Sequence, residues 1–142
     1  MLSDAMLEMI GRFFGFGALP NYSGTGAVIK RDPYRHMRER LERKWRVFDF
    51  TDYNSDLAFV YVLEDHPDSV TVRLSMVGPY AALTSADGIA TSADVAAEVQ
   101  AGGFMLLDRD ILEQPVTLWS PEVEGTAYEF LFEFDEGMPW AR

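Results

Sequence analysis

Residues 57–77 read Leu57-Ala58-Phe59-Val60-Tyr61-Val62-Leu63-Glu64-Asp65-His66-Pro67-Asp68-Ser69-Val70-Thr71-Val72-Arg73-Leu74-Ser75-Met76-Val77. The first run, Leu57 to Glu64, is apolar on both faces, the pattern of a strand in the middle of a sheet. The second, Ser69 to Val77, alternates. Val70, Val72, Leu74 and Met76 fall on an inward face, and Ser69, Thr71, Arg73 and Ser75 on an outward one. Asp65-His66-Pro67-Asp68 between them supplies turn residues, so the stretch predicts an antiparallel hairpin.

Outward from this hairpin, Gly78-Pro79 ends the second strand and Tyr80 to Leu83 predicts a short third one. Residues 127–135 read as another strong strand, with Tyr128, Phe130, Phe132 and Phe134 on one face and Glu129, Leu131, Glu133 and Asp135 on the other. Phe104–Leu107 and Val116–Trp119 are shorter strand-like runs, and 108–114 suits one helical turn. Helical spacing appears three times. Residues 3–14 carry Leu7, Ile10 and Phe14 behind a Ser3 cap. Residues 32–48 carry the stripe Tyr34, Met37, Leu41, Trp45, Phe48 behind Asp32 as cap and Pro33 at the first helical position. Residues 92–101 form a short helix capped by Thr91 or Ser92 and stopped by Gly102-Gly103. The glycine-rich stretch 15–29 reads as loop. The expected fold is a single α+β domain spanning 1–142, with residues 57–135 forming a mainly antiparallel sheet packed against helices.

The chain has 142 residues, 48% of them apolar and 25% charged, which suits one globular domain rather than a disordered tail or a fibre. It has no cysteine, so disulfides, thiolate nucleophiles and Cys-based metal sites are excluded. The two histidines, His36 and His66, are too few for a structural zinc site of the usual kind. No apolar run reaches membrane-spanning length, and Asp4 and Glu8 interrupt the first helix where a secretory signal would be apolar. A cytoplasmic setting is expected.

The formal net charge is −11. Residues 30–46 hold eight of the twelve basic residues, whereas residues 47–142 hold 18 acids and only Arg73, Arg109 and Arg142. Such a chain repels phosphate backbones and anionic lipid, so neither nucleic acid nor membrane is an expected partner. The basic helix pairs internally at Arg35–Glu39, Arg38–Glu42, Glu39–Arg43 and Glu42–Arg46, each spaced i,i+4. Part of it also suits contact with the acidic body of its own domain. The acidic remainder suits a basic protein partner. Its candidate contact patch is Glu122 and Glu124 together with Glu129, Glu133 and Asp135 on the outer face of the last strand.

Other motifs carry less. His66-Pro67-Asp68 spells the signature tripeptide of J-domain co-chaperones, but that family needs it between two helices, and here it joins two strands. Gly24-Thr25-Gly26 followed by Lys30 lacks the spacing and the later motifs of a kinase loop. Asp108, Asp110 and Glu113 cluster without the spacing of a calcium loop and read as a solvated turn. Neither histidine has a serine or threonine neighbour in sequence that suggests a nucleophile–base pair. No enzymatic activity, metal or cofactor is therefore expected. Phe13-Phe14-Gly15-Phe16-Gly17-Ala18-Leu19-Pro20 leaves two roles open, folding back onto the sheet or forming a homodimer contact.

Val72-Arg73-Leu74-Ser75-Met76-Val77-Gly78-Pro79-Tyr80 and Gly102-Gly103-Phe104-Met105-Leu106-Leu107-Asp108-Arg109-Asp110-Ile111-Leu112 are similar in style to segments of the immunity proteins of bacterial polymorphic toxin systems, of the contact-dependent inhibition and Rhs type. The resemblance covers about half of the chain and brings no functional residue with it. It implies stoichiometric inhibition: binding to a cognate, basic toxin domain and neutralising it by steric and electrostatic blocking. The alternative expectation is a small-ligand-binding or enzymatic α+β domain with a cavity between helix 32–48 and the sheet.

Overall fold

A computed structural model of the chain describes residues 3–14, 24–52, 57–85, 88–90, 92–117, 124–133 and 138–141. The hairpin forms where the sequence places it. Strand β2 (Ala58–Leu63) pairs antiparallel with β3 (Thr71–Ser75), with Phe59 opposite Leu74 and Tyr61 opposite Val72. On one side β2 pairs with β1 (Val47–Asp49). On the other, β3 pairs with β4 (Tyr80–Ser85), which in turn pairs with β5 (Gly88–Ile89). After helix α4 (Ala93–Ala101) the chain returns as β6 (Met105–Leu106), parallel to β4. The result is a six-stranded, mainly antiparallel sheet in an α+β fold.

Strand alternation divides the core in two. Phe59, Tyr61, Leu63, Val72, Leu74, Ala81 and Leu83 pack with Met37 and Leu41 of α3 (Arg35–Glu42), Val95 and Val99 of α4, and Val28 of α2 (Gly24–Arg31). Ala58, Tyr80 and Ala82 belong to the second cluster. There they meet Met6, Ile10 and Phe14 of α1 (Asp4–Phe14), Leu112 of α5 (Arg109–Leu112), and Tyr128, Phe130 and Leu131 of α6 (Ala127–Leu131). Helices thus cover both faces of the sheet.

The structure corrects four expectations. The stretch expected as a strand from residue 127 onward is helical over Ala127–Leu131, and residues 134 and 135 lie outside the described residues. Thr126 and Glu129 form a capping box that starts α6, while β8 (Glu124–Thr126) pairs with β7 (Pro115–Thr117) in a separate two-stranded ribbon. Ala127, Tyr128, Phe130, Leu131 and Phe132 are all fully buried. A pattern satisfying i, i+3 and i+4 coexists there with the period-two pattern. Secondly, helix 32–48 is cut at both ends. Asp32 has φ 45° and Tyr34 holds the cap position, so Asp32 and Pro33 precede the helix. At the other end Val47 and Phe48 pair with β2, because β-branched and aromatic residues gain more from the sheet than from a further turn. Thirdly, residues 24–29, the end of the stretch read as loop, belong to helix α2. Fourthly, Ser75 faces inward: its hydroxyl donates to the Leu131 carbonyl at 2.6 Å and accepts from the Val77 amide at 3.1 Å. As for the N-terminal aromatics, Phe14 packs edge-on against Phe130, and residues 15–20 lie outside the described residues.

Thr126→Ala removes the α6 cap and is expected to destabilise the protein by about 1 kcal/mol, read from the urea unfolding midpoint. A strand through 127–135 would leave the midpoint unchanged.

Candidate functional site

The acidic patch expected from sequence is not assembled as a strand face. Glu122 and Asp135 lie outside the described residues, and Glu124 opens β8 opposite Thr117. Glu129 turns its carboxylate back on its own helix, accepting from the Thr126 amide at 3.0 Å. Glu133 is 6% exposed and pairs with Arg73 of β3 at 3.4 Å. Its burial follows from α6: the chain leaves the helix beneath the sheet, where the Phe132 carbonyl accepts from the Leu57 amide at 2.9 Å. Glu133 therefore braces the fold and does not lie on a contact surface.

A different group of carboxylates converges at the β2–β3 turn. Glu64, Asp65 and Asp68 are exposed in the turn, and Asp94 is exposed in the first turn of α4. Buried among them is His66, which sits 5.7 Å ring to ring from Trp45. The Asp68 amide donates to His66 Nδ1 at 3.1 Å. That nitrogen accepts, so in the neutral ring the proton resides on Nε2. Nε2–H faces both Asp94 carboxylate oxygens at 3.2 Å and Ser92 Oγ at 3.2 Å. The Ser92 hydroxyl in turn donates to Asp68 at 3.2 Å, and the Arg46 amide donates to Asp65 at 2.8 Å.

Serine, histidine and aspartate thus meet, but not as a catalytic triad. A triad places the serine on an unprotonated imidazole nitrogen and the aspartate on the other nitrogen. Here both contact the same protonated nitrogen, which has no lone pair left to take the serine proton. The arrangement ties the turn to the start of α4 and holds Asp68 and Asp94 in place. Sequence reading missed it because Ser92 lies 26 residues from His66. The His66 hydrogen bond is the largest cause holding the Asp94 carboxyl below the usual range, assisted by the Val95 amide.

The basic helix spends part of its charge within the domain. Arg35–Glu39 and Arg38–Glu42 form as expected, at 3.5 and 3.2 Å. Among the described residues, Arg40 and Lys44 both reach Glu98 of α4 at 2.7 Å. The Lys44 hydrogen bond, more than the Arg40 charge, holds Glu98 below the ordinary range. His36 lies 3.2 Å from the Gly102 carbonyl at the end of α4 and stacks on Phe104. Asp108 caps α5 by accepting from the Ile111 amide, and Glu113 accepts from Arg109 at 2.7 Å and Trp140 at 2.8 Å. Among the described residues no His, Cys, Asp and Glu group has the geometry of a metal site.

The space beside α3 is a polar surface groove of about 380 Å³, lined by Asp32, Arg35, Arg38, Glu39 and Glu42. An apolar pocket of about 240 Å³ lies beside α4, lined by Leu83, Ile89, Ala96 and Leu106 with Gln100 and Asp108. Compared with known proteins, the chain matches no family model, no curated protein and no solved structure.

Glu133→Ala leaves the Arg73 guanidinium buried without its carboxylate and is expected to cost about 3 kcal/mol in urea unfolding. A residue serving only as a surface contact would leave stability unchanged. The Asp94 tie has its own pH signature. A carboxyl held low in the folded state adds stability that is complete above its unfolded pKa and is lost as pH falls through the folded one. Melting temperature should therefore drop on acidification below about pH 4, and less steeply in Asp94→Asn than in the wild type.

Proposed function

We propose that the protein acts inside the cell as an immunity-type binding protein, neutralising a basic toxin domain in a one-to-one complex by steric and electrostatic blocking. The observation that carries this reading is the group of exposed carboxylates Glu64, Asp65, Asp68 and Asp94 around the β2–β3 turn and the start of α4, of which Asp68 and Asp94 are held by the His66 and Ser92 hydrogen bonds and Asp65 by the Arg46 amide. A fixed anionic surface attracts a cationic partner over several ångströms and raises the encounter rate. Because the turn is already tied to α4, little conformational freedom remains to be lost on binding. Of the carboxylates grouped from sequence, Glu133 is withdrawn by its burial, and the proposed contact shifts from the C-terminal segment to the β2–β3 turn.

The apolar pocket beside α4 favours a second reading, a small-ligand-binding domain. Its few polar groups, Gln100 and Asp108, would orient an otherwise apolar ligand. That reading predicts turnover or ligand-dependent stabilisation in the absence of any protein partner.

The test begins with capture of a partner by the purified protein from its native cells, followed by expression of that partner alone and with the protein. Growth arrest by the partner alone and rescue by co-expression are expected. Reversing the exposed charges (Glu64→Lys with Asp68→Lys) should slow association about tenfold and flatten its salt dependence, with the melting temperature checking the fold. A harmless partner, or a complex indifferent to salt and to charge reversal, overturns the proposal.

A further inference from the structure

Strands β5 and β6 approach each other head-on along one edge of β4. The antiparallel arm extends as far as Ala90, whose amide donates to the Leu83 carbonyl at 2.9 Å. The parallel arm comes from the other direction and extends as far as Leu107, whose amide donates to the Ala81 carbonyl at 2.9 Å. Between these two bonds both arms leave the sheet, the first toward α4 and the second toward α5. Strand ends that part in this way open a crevice at the sheet edge. The pocket of about 240 Å³ lies in that crevice, between Ile89 of β5 and Leu106 of β6, with Leu83 of β4 behind them. Across it α4 presents Ala96 and Gln100, four residues apart on one helix face. Alanine at position 96 is too small to close the space.

The polar groups at the pocket say which ligand fits. Asp108 accepts from the Ile111 amide through Oδ1 at 3.0 Å. Among the described residues its second carboxylate oxygen has no hydrogen-bond partner, and neither has the Gln100 side chain. The neighbouring cation, Arg109, is paired with Glu113 at 2.7 Å instead. The pocket therefore combines apolar walls, one anionic acceptor and one amide that both donates and accepts. We infer that it is a site for a compact amine, a small organic cation whose apolar body lies against Leu83, Ile89, Ala96 and Leu106. Its ammonium group meets the free oxygen of Asp108 and donates a further N–H to the Gln100 carbonyl. An apolar cavity of about 150 Å³ holds benzene, so this one suits a molecule of about ten non-hydrogen atoms. A carboxylate ligand would meet Asp108 as a like charge, and a neutral alcohol would forgo the stronger charge-assisted bond. The inference rests on the second reading above, that this pocket takes a small ligand, and is independent of any toxin partner.

Probes of nearly one shape and different charge provide the test: phenethylamine, phenethyl alcohol and phenylacetate, each titrated into the isotope-labelled full-length protein at physiological salt and followed by amide NMR signals. The amine should shift the signals of Ala90, Ala96, Leu106 and Asp108 saturably and bind about tenfold more tightly than the alcohol. Phenylacetate should not bind. Asp108→Asn keeps a good helix cap while removing the charge. It should weaken the amine about tenfold, to the level of the alcohol, and leave the alcohol unchanged. Ala96→Leu should fill the pocket and abolish binding of both, with the melting temperature checking the fold. Alcohol or acid bound as tightly as the amine, or an amine indifferent to Asp108→Asn, overturns the cation preference while leaving a ligand pocket in place. Binding of none of the probes, or binding indifferent to Ala96→Leu in a folded variant, overturns the pocket reading and the inference with it.

Discussion

Strand β2 is apolar on both faces, and the rest of the fold answers that constraint. A strand buried on one side only could leave its other side to water. Phe59, Tyr61 and Leu63 on one face and Ala58 and Val60 on the other cannot do so without exposing large apolar area. Each such side chain is worth about 1.5–3 kcal/mol when fully buried. Helices α3 and α4 cover the first face, and α1 and α6 the second. Two polar side chains of β3 are tied to that helix and the residues after it, Ser75 to the Leu131 carbonyl and Arg73 to Glu133. A half-buried sheet would have left both to solvent.

The same two-sided burial decides how charge is distributed. Helix α3 lies on the sheet through Met37 and Leu41, and its cations reach along α4 to Glu98. Part of the basic segment is thereby neutralised by the domain itself. At the β2–β3 turn and the start of α4, Glu64, Asp65, Asp68 and Asp94 are all exposed. The electrostatic character of this end follows from where the helices must lie to cover β2.

The hairpin was legible because its signals are local: a doubly apolar run, a turn and a strictly alternating run. The short helix at 92–101 and the turn at 108–114 were legible for the same reason, since Ser92, Gly102 and Asp108 mark their ends. Residues 127–135 misled because Tyr128, Phe130, Phe132 and Phe134 satisfy the period of a strand. The overlooked signal was Thr126-Ala127-Tyr128-Glu129, a capping box whose two reciprocal bonds start a helix whatever the aromatic spacing. Helix 32–48 misled in the opposite direction. Its apolar stripe continues through Trp45 and Phe48, but the partner that ends it, β2, lies more than ten residues further on and competes for Val47 and Phe48 through the sheet. Short-range pattern cannot weigh a long-range partner.

The candidate site was less legible than the fold for the same physical reason. Grouping carboxylates by alternation presupposes the element that carries them, and once α6 replaces a strand, Glu129 and Glu133 turn to structural tasks. The carboxylates that do converge come from a turn and from a helix start separated by strands β3, β4 and β5. What joins them is one buried imidazole whose Nδ1 accepts an amide and whose Nε2 donates to a carboxylate. Both ring nitrogens of His66 are thus committed to holding backbone and side chain in place. A fixed arrangement of charge is the property that recognition of a macromolecule requires.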